Sequence, residues 1–180
     1  MKQLVSTEWL NKNINDVKIL DATWHLPNAN RNSFEEYKTD HILNSIFFDI
    51  DKNSNKKTNL PHMLPSKDDW ETIISNLGIK NDDHVIIYDN SDVFSSCRVW
   101  YTFLYFGHDP KLISVLDGNF QKWKKEKLPT SKEITHLNRS MYKAKEEPSL
   151  VITKDQVNKN IVSKKFQLID ARGNQRFLGL

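Results

Sequence analysis

A single cysteine, Cys97, stands in the 180 residues, which excludes an internal disulfide framework and a zinc ribbon. A reducing compartment, the cytoplasm, is the expectation. Apolar runs are short: none approaches the roughly 18 uninterrupted residues of a membrane helix, and residues 1–8 lack the apolar core of a signal peptide. The chain is therefore expected to be soluble, without a membrane partner. No glycine-rich phosphate loop is present, and the six histidines form no His-x-x-x-His pair. No metal and no other cofactor is expected. Charge of one sign is also scarce. The net value is +3, and the lysines behind it are spread along the chain in short clusters such as Lys122-Trp123-Lys124-Lys125. That pattern is a solvated helix face, not a nucleic-acid site.

With 38% hydrophobic and 27% charged residues, the chain can bury one ordinary globular core. Short apolar runs, of the kind buried parallel strands make, occupy 17–20, 46–48, 85–88 and 113–116. Helical patterns lie between them. Ser66 with Asp69 begins one as a capping box would, and Gly78 ends it. Ser95 or Ser96 is expected to cap the next, whose apolar positions from Val99 to Phe106 stop at Gly107. Asp117 is expected to cap a third, through Phe120 and Trp123. Alternating strands and helices predict an α/β domain, a mainly parallel central sheet flanked by helices, with its ligand site beyond the carboxyl ends of the strands.

An internal echo sets the larger organisation. Leu4-Val5-Ser6-Thr7, Asn11-Lys12-Asn13-Ile14 and Lys18-Ile19-Leu20-Asp21-Ala22 recur as Leu150-Val151-Ile152-Thr153, Asn158-Lys159-Asn160-Ile161 and Gln167-Leu168-Ile169-Asp170-Ala171. The offset is 146 residues at Thr153 and 149 at Asp170. A repeat of that size is a duplicated domain, since solenoid repeats recur every ~20–50 residues. The expected organisation is a first copy over 1–126, a polar interdomain linker over 127–149 carrying at most one short extended piece, and the truncated start of a second copy over 150–180.

Several stretches, taken in order, resemble the first domain of the rhodanese and 3-mercaptopyruvate sulfurtransferase family. They are Val5-Ser6-Thr7-Glu8-Trp9-Leu10, Leu20-Asp21-Ala22-Thr23-Trp24, Tyr37-x-x-x-His41-Ile42, Phe47-Phe48-Asp49-Ile50-Asp51, His62-Met63-Leu64-Pro65, Arg98-Val99-Trp100, Phe106-Gly107-His108 and Val115-Leu116-Asp117-Gly118. Leu43-Asn44-Ser45 departs from the family's Pro-Gly-Ala, so a different turn is expected there. The resemblance implies a sulfurtransferase carrying sulfane sulfur from 3-mercaptopyruvate or thiosulfate to a thiol or cyanide, on a cysteine persulfide ringed by loop amides.

That cysteine follows the central strand of the second copy. Its first-copy counterpart is Asp89, which cannot accept sulfur, and the repeat puts the second-copy position at about residue 238, beyond Leu180. The 180 residues alone are thus expected to be inactive. Cys97 lies at the far end of the first-copy loop and is read as non-catalytic, and a phosphatase-type Cys-x5-Arg fails because position 103 is Phe103. The resemblance also assigns Asp51 and His62 as a pair supporting the catalytic loop, with a histidine that only pins its own loop as the plainer reading, and Arg176 as the guanidinium for the anionic donor, with Arg172 structural. Two alternatives are a catalytically silent rhodanese-like binding module and the remnant of a truncated gene.

Overall fold

The computed structural model describes residues 3–179, which fall into two compact units, Met1–Glu147 and Pro148–Leu180. The first unit runs β1 (Leu4–Val5), α1 (Thr7–Lys12), β2 (Lys18–Asp21), α2 (Ser33–Thr39), β3 (His41–Ile42), β4 (Ser45–Phe47), α3 (Lys67–Asn76), β5 (Val85–Tyr88), α4 (Ser95–Tyr105), β6 (Ile113–Leu116), α5 (Asn119–Lys125) and β7 (Thr130–Ser131). Five strands form a sheet in the order β1-β6-β5-β2-β4, every pair parallel. β3 and β7 pair antiparallel beside it.

The period of two along a strand sends alternate residues to opposite faces. Leu20, Val85 and Ile87 enter one apolar cluster, with Trp70 and Ile74 of α3 and Phe103 of α4. Ile19, Ile86 and Tyr88 enter the other, with Leu10 of α1 and Phe120 and Trp123 of α5. Both faces are thereby covered, which is why β5 is buried at all four positions and reads as a continuous apolar run.

Three helix ends differ in how they are made. α3 begins as the sequence indicates: the Ser66 hydroxyl accepts from the Asp69 amide, and Gly78 follows the helix at φ +69°. α4 is capped neither by Ser95 nor by Ser96. Its N-cap is Phe94, in the left-handed region at φ 52°, and the Ser96 amide donates instead to the Asp89 carboxylate at 2.7 Å. α5 starts after Gly118 at φ 87°, and Asp117 lies outside it; the Phe120 amide is taken by the Asp89 carbonyl at 3.1 Å. In both corrections one buried residue from the end of β5 satisfies amides that local sequence assigned to a cap. The turn before β4 keeps a left-handed residue too: Asn44 sits at φ 66°, a conformation asparagine tolerates.

Residues 127–147 do not stand free between domains. Leu43 N donates to the Pro129 carbonyl, and Tyr142 and Ala144 are buried in the α3 and α4 cluster. The strap is fastened along its length: Ser140 N to Ser75 O, Tyr142 N to Ser75 Oγ, Ala144 N to Glu71 Oε1, Lys145 N to Phe106 O and Glu147 N to Tyr105 O, all within 2.8–3.0 Å. The strap is polar in composition, yet alternate residues bury or donate inward.

The second unit contains α6 (Lys154–Ser163) and α7 (Asn174–Phe177). Thr153 and Gln156 make a capping box at the start of α6, and the Asn160 amide exchanges two hydrogen bonds with the Phe166 backbone, at 2.8 and 3.0 Å. The stretch Gln167-Leu168-Ile169 forms no strand among the described residues, where its echo forms β2. A strand needs a neighbour to take its backbone groups. One local device is nevertheless common to both units: Asp21 accepts from the Thr23 amide and Asp170 from the Arg172 amide, each at 2.9 Å.

Candidate functional site

The carboxyl ends of β2 and β5 are tied together by a dense set of side-chain hydrogen bonds. Asp89 is fully buried. Its carboxylate accepts from the amides of Ser91 at 3.1 Å and Ser96 at 2.7 Å. In effect the loop after β5 is a small amide nest, and an aspartate belonging to the chain fills it. Beside it lies a second buried carboxyl. Burial pushes Asp21 up to about 6, and the Asp89 charge adds to this, although Thr23 opposes it by donating its hydroxyl at 2.5 Å and its amide. Ser91 and Ser95 close the two strand ends together: the Ser95 hydroxyl donates to Ala22 O at 2.7 Å, the Ser91 hydroxyl to Trp24 O, and both accept from Trp24 N at 3.2 Å.

Neither nearby guanidinium is offered to a small anion in this loop. Arg31 forks onto the Glu36 carboxylate at 2.7 and 2.6 Å. Arg98, drawn down by burial, donates to the His62 carbonyl at 2.5 Å. Cys97 is exposed, the third residue of α4, while the loop amides of Ser91 and Ser96 face the Asp89 carboxylate.

Asp51 and His62 do meet. The imidazole Nε2 and Asp51 Oδ1 are 2.7 Å apart, and the Trp24 indole N–H donates to Asp51 Oδ2 at 2.9 Å. Trp24 also stands edge-on to the His62 ring, with centroids 4.8 Å apart. Thus one carboxylate orients an imidazole and an indole at once. His62 takes φ +54°, and its carbonyl is the acceptor for Arg98, so α4 holds the loop that presents it. The Asp51 side chain is 65% exposed and that of His62 28%, which leaves the pair open at the surface of this unit. An imidazole backed by a carboxylate can give or take a proton from a group brought against it. Sequence reasoning named the pair but not Trp24 and Arg98 as its holders. The signal was available, since both sit in the family-like stretches.

In the second unit Arg172 clamps Asp170 through Nε and Nη2, at 2.6–2.9 Å. Arg176, on α7, has no side-chain hydrogen bond or ion pair among the described residues, so its fork of donors is uncommitted. Among the described residues no group of three or more His, Cys, Asp or Glu side chains could hold a metal ion, and no helix is long and apolar enough to cross a membrane.

A doubly covered parallel sheet, a loop nest beyond its central strand and a helix running from that nest define a rhodanese-type fold. Residues 6–126 match the rhodanese-like domain family, and the chain belongs to that family. It is similar to "Thiosulfate/3-mercaptopyruvate sulfurtransferase 2" of Arabidopsis thaliana, with 36% identity over 98% of this chain and 58% of the relative. It is also similar to "Thiosulfate sulfurtransferase" of Rattus norvegicus, with 38% identity over 99% of this chain and 62% of the relative. The crystal structure of SseA from Escherichia coli, described as a 3-mercaptopyruvate sulfotransferase with the "rhodanese" fold, superposes with a TM-score of 0.90 at 30% identity, over 98% of this chain and 68% of that one. The chain therefore spans about 60% of the length of these curated relatives.

Proposed function

We propose that these 180 residues are the non-catalytic part of a two-domain sulfurtransferase: a first rhodanese copy, an interdomain segment continuing to about residue 149, and the start of a second copy that carries the nucleophile beyond Leu180. The observation that carries the reading is Asp89. It stands at the end of the central strand, in the nest that would stabilise a thiolate and its persulfide, and its own carboxylate uses the amides. The two sulfurtransferase relatives and the share of their length that the chain spans agree with it.

The chemistry so implied has two steps. A second-copy thiolate takes the thiol sulfur of 3-mercaptopyruvate, breaking its C–S bond and releasing pyruvate after proton uptake at the enolate carbon, or the outer sulfur of thiosulfate, breaking its S–S bond and releasing sulfite. The persulfide then yields its sulfur to a thiol, giving a new persulfide, or to cyanide, giving thiocyanate, and the thiolate returns. Here Arg176 holds the anionic donor, and the Asp51–His62 pair supports proton movement at the facing catalytic loop. A reducing, cytoplasmic setting remains the reading that a single cysteine favours.

The test compares residues 1–180 with the same chain extended through a complete second copy, each given 3-mercaptopyruvate or thiosulfate with cyanide. The extended protein should form thiocyanate and the 180 residues should not. Turnover by residues 1–180 that Cys97→Ser abolishes would overturn the proposal. If neither protein turns over, the chain is a silent binding module or a remnant.

A further inference from the structure

Beyond the Asp51–His62 pair, the first unit holds a groove of about 880 Å3 along the free edge of β4, between α2 and α3, with Ile134–His136 of the strap at its border. Its volume is within the range of sites that take small organic molecules, about 300–1,000 Å3. The floor is aromatic. Phe34, Tyr37 and Phe47 meet at centroid distances of 5.2–6.3 Å, and Ile46, Ile73 and Leu77 continue the apolar surface. Phe34 is exposed at 41%, with the Lys38 ammonium over its ring at 5.3 Å from the centroid. The rim is basic. Lys52, Lys56 and Lys57 line it, and none has a carboxylate partner among the described residues. Two carboxylates also line it, Asp49, which accepts from the Lys52 amide at 2.8 Å, and Asp69, which accepts from the Ser66 hydroxyl at 2.6 Å, so the lysines outnumber them by one. His136 adds a titratable group at the far side.

An added β-strand is a poor occupant, although β4 is an edge. The Tyr37 hydroxyl donates to the Ser45 carbonyl at 2.8 Å, so a backbone group an incoming strand would need is taken. An aromatic floor beside ammonium groups that lack ion-pair partners among the described residues suits another class of ligand. We propose that this groove binds a small, flat apolar molecule bearing one anionic group, its rings on Phe34 and Phe47 and its anion at the Lys52, Lys56 and Lys57 rim. The site uses no side chain of Asp51, His62 or Arg176, although the Lys56 ammonium of its rim donates to the Asp51 carbonyl at 2.6 Å.

The probe is 1-anilinonaphthalene-8-sulfonate, titrated by fluorescence and calorimetry against residues 1–180, with N-phenyl-1-naphthylamine as the same ring system lacking the sulfonate. One sulfonate molecule is expected to bind per chain, at least ten-fold tighter than the neutral amine. Lys52→Glu with Lys57→Glu should weaken the sulfonate at least ten-fold and leave the amine little changed. Thr72→Trp, on the exposed face of α3 bordering the groove, should remove both without lowering the unfolding midpoint. Equal binding of the two probes, or an unchanged titration in the folded Thr72→Trp protein, overturns the proposal. So does loss of the site in a chain extended through a second copy, which would make the groove a covered surface.

Discussion

At the scale of the residue, burial decides what a side chain does more than its type. Asp21 is the last residue of β2 and Asp89 the first after β5, and their settings separate a raised carboxyl from a cap. The Asp21 carboxyl titrates at an ordinary 3.8 when the chain is unfolded and at about 6 when folded, so the folded state holds its proton more tightly. Stability from this group is complete below about pH 4 and falls as pH rises through 6, by up to about 3 kcal/mol for a shift of some two units. Asp21→Asn keeps the acceptor for Thr23 and removes the charge. Urea unfolding between pH 4.5 and 7.5 should show wild type losing stability relative to this variant; parallel curves would contradict the assignment. Asp89→Ala strips the acceptor from two buried amides, and a loss of about 2–4 kcal/mol in the same assay is expected. The strand-end aspartates could be seen in the sequence. That Asp89 caps α4 could not, because the cap joins residues seven apart across a loop whose path is set by the sheet.

At the scale of the element, α3, β5 and β6 could be read directly, since each carries its own period and its own stops. The short pieces could not. β1, β3 and β7 have two residues each and exist only through their partners, Leu4 with Val115, His41 with Ser131. The strap is the same case in larger form. Its fastening depends on two glycines that end helices beneath it. A Cβ on Gly107 would lie 2.6 Å from the Lys145 carbonyl oxygen, and one on Gly78 would lie 2.5 Å from Leu137 Cβ. Each glycine also has positive φ, +76° and +69°. Gly107→Ala should therefore cost at least about 1–2 kcal/mol, by backbone strain plus displacement of the strap. A melting temperature within a degree of wild type would show that the strap is not held there. By the same reasoning residues 1–147 should fold cooperatively, whereas residues 1–126, stripped of Tyr142 and Ala144, should show a lower midpoint and a broadened transition by circular dichroism.

At the scale of the whole molecule, the division after Glu147 has a consequence for protease sensitivity. In the second unit the side chains of Ile161, Val162, Leu168, Ile169 and Phe177 are at least 60% exposed, and Asn160 is its one buried residue among those described. Some thirty residues cannot close a core of their own. Brief trypsin treatment is thus expected to cut at Lys154, Lys159, Lys164 or Lys165 before any site in the first unit, leaving a stable fragment that ends at residue 154 once digestion of the second unit is complete. Early cleavage within α3 or α4 would show that the first unit is not the independent one.

The sequence by itself determined the α/β class, the central strands and the family. Each of these is written in local periodicity or in ordered motifs. Tertiary structure decided the rest: that Asp89 closes its own nest, that Trp24 and Arg98 hold the Asp51–His62 pair, that residues 127–147 belong to the first unit, and that β4 leaves an edge groove with a basic rim. The Asp89 bonds span two and seven positions across a loop, and the other features depend on contacts between residues tens of positions apart, such as Trp24 with Asp51 and Arg98 with His62. Their formation follows from how the sheet brings chain segments together, which no single window of sequence records.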